Sequence, residues 1–127
     1  MKNIQILIIE KLRERAQYYY SYMKLHNCNL SNLNLSEMNF ESSIFAFSSL
    51  SDSTFHESFC RNASFHYCDC DRVDFSYCNL ESVNFSGSSL INANFKRANV
   101  RGADFRGAKI KKLQLSGEQC ASCEHDF

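Results

Sequence analysis

Proline and tryptophan are absent from this chain of 127 residues, glycine occurs only four times, and the positive and negative charges cancel. Each shortage excludes something. Without proline there is no proline-rich linker to divide the chain, and the length reads as one domain with short appendages. The four glycines (Gly87, Gly102, Gly107, Gly117) are scattered and form no phosphate-cradling loop. Overall neutrality disfavours a nucleic-acid binder. Long apolar runs are missing too. Ile4 to Ile9 is interrupted by Gln5 and followed at once by Glu10, Lys11, Arg13, Glu14 and Arg15, which is too short for a signal-peptide core or a bilayer span. The expected compartment is therefore the cytoplasm, with secretion as an effector left open.

What the chain does have is phenylalanine (11), tyrosine (6) and cysteine (7). An odd number of cysteines, most of them at positions that point inward in the pattern below, is read as buried thiols acting as small hydrophobes in a reducing compartment rather than as a disulfide framework.

The organising signal is a period of five. The residues at multiples of five are Leu30, Leu35, Phe40, Phe45, Leu50, Phe55, Cys60, Phe65, Cys70, Phe75, Leu80, Phe85, Leu90, Phe95, Val100, Phe105, Ile110 and Leu115. All are apolar. Two positions before each centre the residue is small or apolar and never charged, as at Cys28, Ala63, Val73, Ala93 and Ala103. One position before the centre Asn or Asp dominates, as at Asn79, Asn84, Asn94 and Asp104, and the two positions after it are mostly polar.

Two apolar residues separated by one position lie on the same face of an extended segment. The intervening residue faces out, and the next two must turn the chain before the pattern restarts. Each pentad is thus one short side and one corner, and the sides must coil and stack to bury anything.

The copies Ala93-Asn94-Phe95, Ala98-Asn99-Val100 and Ala103-Asp104-Phe105 resemble the A-(D/N)-L-x-x motif of the pentapeptide-repeat family. The resemblance covers residues 28–117. It implies an all-β fold, a right-handed quadrilateral parallel β-helix of about four and a half coils with twenty residues each. Residues twenty apart should then stack, Phe45 with Phe65, Phe85 and Phe105, and Leu35 with Phe55, Phe75 and Phe95.

Residues 1–27 read as an N-terminal helical cap over the first coil, because Ile4, Ile8, Leu12, Ala16, Tyr19 or Tyr20, and Met23 recur at helical spacing. Residues 118–127 form a polar tail. There Cys120, Cys123 and His125 could ligate a metal, but zinc wants four ligands and no second such pair exists. Cys120 and His125 keep the five-residue phase, so the tail reads as a decayed last repeat. Neither a metal nor another cofactor is expected. The four histidines (His26, His56, His66, His125) are scattered, with none placed beside a nucleophile, and the chain is read as no enzyme.

Function on such a solenoid must sit on outward residues. From 28 to 95 eight acids face two bases, Arg61 and Arg72. From 96 to 112 seven bases face one acid, and Lys96, Arg97, Arg101, Arg106, Lys111 and Lys112 should ring the last full coil as a basic belt. Ile44, Phe47, Phe59, Tyr67 and Tyr77, with Ile91, put apolar side chains at outward slots and form a candidate partner patch. Ser43, Ser48, Ser53 and Ser58 fill the four small inward slots of one coil, which should make it the least tightly packed.

The expected function is a rigid, non-enzymatic module for binding a protein partner that the sequence does not name. A homodimer through the C-terminal coil is a second expectation. The resemblance also implies a DNA-mimicking gyrase protector of the quinolone-resistance type or a secreted bacterial effector, and the segregated charge adds a self-assembling structural protein whose basic last coil meets an acidic zone of another copy. The short solenoid and its basic coil speak against a DNA mimic.

Overall fold

The computed structural model describes Leu7, Glu10 and residues 22–112. Residues 22–112 form a four-sided parallel β-helix. Each outward mid-side residue pairs in parallel with the residue twenty positions on, from Lys24 with Ile44 to Ser89 with Lys109. A turn separates every pair of successive sides, so four sides close one coil.

The backbone hydrogen bonds explain why a pentad is enough. The centre's N–H donates to the following coil, as Phe45 does to the Ser64 carbonyl at 2.8 Å. The residue before a centre donates to the preceding coil, as Ser64 does to the Ser43 carbonyl at 2.9 Å. The second corner residue also reaches the following coil, Phe47 to His66 at 2.9 Å, and the turn closes from Ser48 N–H to the Phe45 carbonyl at 3.1 Å. Only the first corner residue is left over. In most pentads its N–H is taken by the side chain two positions earlier, Ser86 by Asn84 Oδ1 at 2.8 Å and Arg106 by Asp104 Oδ1 at 2.9 Å. That is why Asn and Asp dominate the slot before the centre: an Asx side chain supplies the one acceptor that stacking does not.

Each second corner residue has positive φ, from Tyr22 at 65° to Lys112 at 55°. With a hydrogen bond spanning the corner, this is the geometry of a type II turn, which favours Gly or Asn at that place. Gly87, Gly102, Gly107, Asn27, Asn32, Asn62 and Asn92 obey. Phe47 (62°), Tyr67 (53°) and Tyr77 (59°) do not.

The core is two phenylalanine stacks meeting at the coil axis. Phe45, Phe65, Phe85 and Phe105 lie face to face at 4.9, 5.2 and 5.3 Å, and Phe55, Phe75 and Phe95 at 5.4 and 5.1 Å. The two stacks touch edge-on, Phe55 against Phe65 at 5.4 Å and 86°. The other centres from Leu30 to Val100 are buried with them. Ile110 is only half-buried, and Leu115 lies outside the described residues.

Three sequence expectations change here. Residues 22–27, assigned to a helical cap, belong to the coil: Lys24 bridges Ile44, Leu25 and Met23 pack against the core, and Asn27 takes the corner at φ 55°. Their pentad phase had been concealed by an apolar stripe running through Met23. Leu7 and Glu10 are helical; the rest of the expected cap, residues 113–117 and the Cys120, Cys123, His125 tail lie outside the described residues.

The serine-rich coil is not loosened by its serines. Ser48 Oγ inserts into the preceding turn, accepting from Cys28 N–H at 2.9 Å and donating to the Leu25 carbonyl at 2.8 Å. Ser58 Oγ does the same between Met38 N–H and the Leu35 carbonyl. Two thiols act likewise rather than as plain hydrophobes. Cys68 Sγ donates to the Phe45 carbonyl at 2.9 Å and Cys78 Sγ to the Phe55 carbonyl at 2.6 Å.

Burial pushes the Cys60 and Cys70 thiols well above their ordinary value and Cys78 up to about 12. All three therefore stay protonated and enclosed at about pH 8, below the ordinary thiol range. A colourless-to-yellow disulfide reagent is expected to titrate none of them in the native protein and all of them in denaturant; fast native labelling of Cys78, mapped by peptide analysis, would refute the reading.

Candidate interaction surfaces

The outward apolar residues expected to form one patch fall on two edges of the coil, two sides apart. Ile44, Phe47 and Tyr67 belong to one side and the corner after it. Tyr77 lies on the corner preceding the side that carries Phe59. We call these the Tyr67 edge and the Tyr77 edge. Ile91 is half-buried on the corner that carries Arg72 and Asp52, where its N–H is accepted by Asp71 Oδ1 at 3.0 Å.

On the Tyr67 edge, Phe47 and Tyr67 occupy the same corner in successive coils and stack at 5.5 Å and 18°. Both are more than half exposed, at 57% and 55%. The stack rests on glycine: a Cβ on Gly87 would come within 2.4 Å of the Tyr67 ring. His66 sits edge-on to Tyr67 at 4.1 Å and to Phe47 at 5.8 Å. The slots along this edge through the middle coils (Ile44, Ala46, Ser64, Asn84, Ser86) carry no formal charge. It is a neutral aromatic ledge.

Two features of this ledge run against the local rules, and neither is confined to it. Ile44 stands where an Asx side chain would accept the Ala46 N–H, and offers no acceptor. Phe47 and Tyr67 hold bulky side chains in left-handed backbone that costs about 1–2 kcal/mol in a residue other than glycine. On the Tyr77 edge Phe59 makes the same substitution for an Asx acceptor and is half-buried, while Tyr77 is exposed at positive φ.

Sequence reasoning found no histidine beside a nucleophile, yet the columns place two beside serines twenty positions on. His56 Nδ1 lies 2.7 Å from Ser76 Oγ, and His66 Nδ1 lies 2.7 Å from Ser86 Oγ. The interval of twenty was available in the sequence and would have shown both pairs. Neither works as a nucleophile and base. Ser76 is buried. His66 Nδ1 also faces the Ser86 carbonyl at 3.1 Å; an oxygen that can only accept leaves the proton on that nitrogen. The pairs instead hold imidazoles against aromatic rings, His56 edge-on to Tyr77 at 5.5 Å with Nε2 3.6 Å from Glu57 Oε1.

The basic residues are all exposed and are distributed over the four corners. Lys96 and Arg97 lie on the Tyr77 edge, Arg101 on the next corner, Arg106 on the Tyr67 edge, and Lys111 and Lys112 on the fourth. Arg106 is turned toward its own side, its guanidinium clamping Asp104 through Nε at 3.0 Å and Nη2 at 2.8 Å and holding that carboxyl below the ordinary range. On the fourth corner Arg72 and Asp52, in adjacent coils, pair in a fork at 2.7 and 3.1 Å, which lowers Asp52 in the same way. Among the described residues no group of three or more His, Cys, Asp or Glu is placed to hold a metal ion, and no helix is long and apolar enough to cross a membrane.

The family model for pentapeptide repeats matches residues 24–57, 43–76 and 68–107. No curated protein sequence matches the chain significantly. Among solved structures, a pentapeptide repeat protein from the Arabidopsis thaliana thylakoid lumen is 26% identical with a TM-score of 0.69, over 70% of this chain and 62% of that one. HetL, a pentapeptide repeat protein involved in heterocyst differentiation regulation from Nostoc sp. strain PCC 7120, is 21% identical with a TM-score of 0.52, over 85% and 47%. QnrB1, a plasmid-mediated fluoroquinolone resistance protein, in a trypsin-treated variant form, is 21% identical with a TM-score of 0.50, over 76% and 55%. The chain thus spans less than two thirds of the length of each of these three. The last two likenesses are of fold alone.

Proposed function

This chain belongs to the pentapeptide-repeat family, and on that premise we propose that it is a non-enzymatic module that holds a protein partner along the Tyr67 edge. The right-handed quadrilateral β-helix of the family makes it a rod. About four and a half coils at ~4.8 Å spacing give a length of roughly 22 Å. Its stacked, hydrogen-bonded sides cannot rearrange to fit a ligand, so binding must use a surface already in place.

One observation carries the assignment. Ile44, Phe47 and Tyr67 put apolar and aromatic side chains at outward slots of one exposed edge whose middle coils carry no formal charge. Rigid aromatics with few torsions are the side chains that anchor protein interfaces. The DNA-mimicking reading finds less support, because Lys96, Arg97, Arg101, Arg106, Lys111 and Lys112 set cations on every corner of one coil. If purified gyrase nevertheless supercoils in the presence of a quinolone only when this protein is added, that reading displaces ours.

The direct test separates folding from binding. Ile44→Asn restores the missing acceptor for Ala46 N–H and is expected to raise stability by about 0.5–1.5 kcal/mol in denaturant unfolding. The same change combined with Tyr67→Asn should abolish capture of the partner that wild-type protein retrieves from its source cells. A loss of stability in Ile44→Asn, or undiminished capture by the double variant, would sink the proposal.

A further inference from the structure

The Tyr77 edge has a different character from the ledge, and its charges are ordered along the coil axis. Its second corner residues in successive coils are Glu37, Glu57, Tyr77 and Arg97. All are exposed and all sit at the same left-handed turn position, with φ between 59° and 63°.

Adjacent coils can pair their charges on such a corner, as Asp52 and Arg72 do. Glu57 and Arg97 cannot, because Tyr77 holds them two coils apart, about 10 Å at sheet spacing. Among the described residues neither Lys96 nor Arg97 has an ion-pair partner. His56 steadies the arrangement by touching both Glu57 and Tyr77.

The geometry points to a second copy of this chain as the occupant of this edge, docked antiparallel about a two-fold axis through Tyr77. A two-fold axis perpendicular to the rod inverts the axial order. Glu57 of each copy then meets Arg97 and Lys96 of the other, and the two Tyr77 rings meet at the centre. One patch serves both partners, as a two-fold interface requires. The side carrying Phe59 flanks the contact and supplies apolar surface beside Tyr77. This surface is distinct from the Tyr67 ledge, so a dimer leaves that ledge free, and the pairing does not involve the ends of the coil.

One edge of a narrow rod buries little area, below the ~1,200 Å² of stable complexes, so the association should be weak and salt-sensitive. Sedimentation equilibrium of the full chain at about 0.1–1 mM protein should show a monomer–dimer equilibrium in about 50 mM salt that weakens at about 500 mM. Glu57→Arg and Arg97→Glu should each weaken it about tenfold through like-charge repulsion, and the two together should restore it. Tyr77→Asn, which suits the left-handed corner and preserves folding, should also weaken it. The proposal is overturned by a wild-type protein that stays monomeric throughout. It is equally overturned by a double variant no better than either single one, or by association that survives Tyr77→Asn and is lost on Tyr67→Asn. Thermal unfolding followed by circular dichroism confirms that each variant is folded before its result is counted.

Discussion

Phe65→Ala is expected to cost about 4 kcal/mol, well within the range for removing a fully buried phenylalanine. Phe65 is fully enclosed and touches four other rings: Phe45 and Phe85 face to face at 4.9 and 5.2 Å, Phe55 and Phe75 edge-on at 5.4 Å each. The hole left behind cannot close. Collapse would require neighbouring coils to approach, and their separation is set by backbone hydrogen bonds rather than by side chains. Each lost ring pair adds to the lost burial. A domain of this size holds only about 5–15 kcal/mol in reserve, so the variant should unfold at a much lower denaturant midpoint. Phe105→Ala, with one face-to-face partner and one edge-on partner among the described rings, should cost less. Equal losses at the two positions would mean that the rings contribute by burial alone.

Ser48→Ala should cost about 2 kcal/mol, far more than an ordinary serine-to-alanine change, since it strips partners from two backbone groups at once. The hydroxyl is the acceptor for Cys28 N–H and the donor to the Leu25 carbonyl, standing in the turn where other corners close directly. Ser48→Cys offers a discriminating companion. A thiol still donates, as Cys68 does to the Phe45 carbonyl, but accepts weakly, so this variant should fall between wild type and Ser48→Ala in denaturant unfolding. If alanine proves as stable as wild type, the inserted hydroxyl is dispensable and the serine-rich coil is held by its rings alone.

Why was so much of the fold legible in the sequence? Each pentad states its own geometry. An inward pair such as Ala93 and Phe95, an Asx residue between them and two corner residues after them form a complete local instruction, and repetition removes ambiguity. The ring columns followed from arithmetic, because a four-sided coil places residues twenty apart in register. The same interval of twenty sets His56 beside Ser76 and His66 beside Ser86, against the expectation that no histidine neighbours a nucleophile. Residues 22–27 fit both periods, because Met23 continues an apolar stripe at helical spacing as well as a repeat phase, and only stacking on the next coil decides between them.

Other features depended on contacts no local pattern encodes. Ser48 looked like a gap because its hydroxyl has no partner within its own pentad; both partners lie in the preceding coil. The outward aromatics looked like one patch because they share slots, while edges are defined by position around the coil. The sequence by itself determined the phase of this protein: which residues face in, which face out and where the chain turns. Those choices are settled within five residues by burial and turn chemistry. Only the tertiary structure decided which side chains become neighbours at the corners, which backbone groups the serines and thiols satisfy, and that Glu57 and Arg97 stand too far apart to pair within one chain. Such relations exist only once coils are stacked, because the parallel ladder brings together residues twenty positions apart.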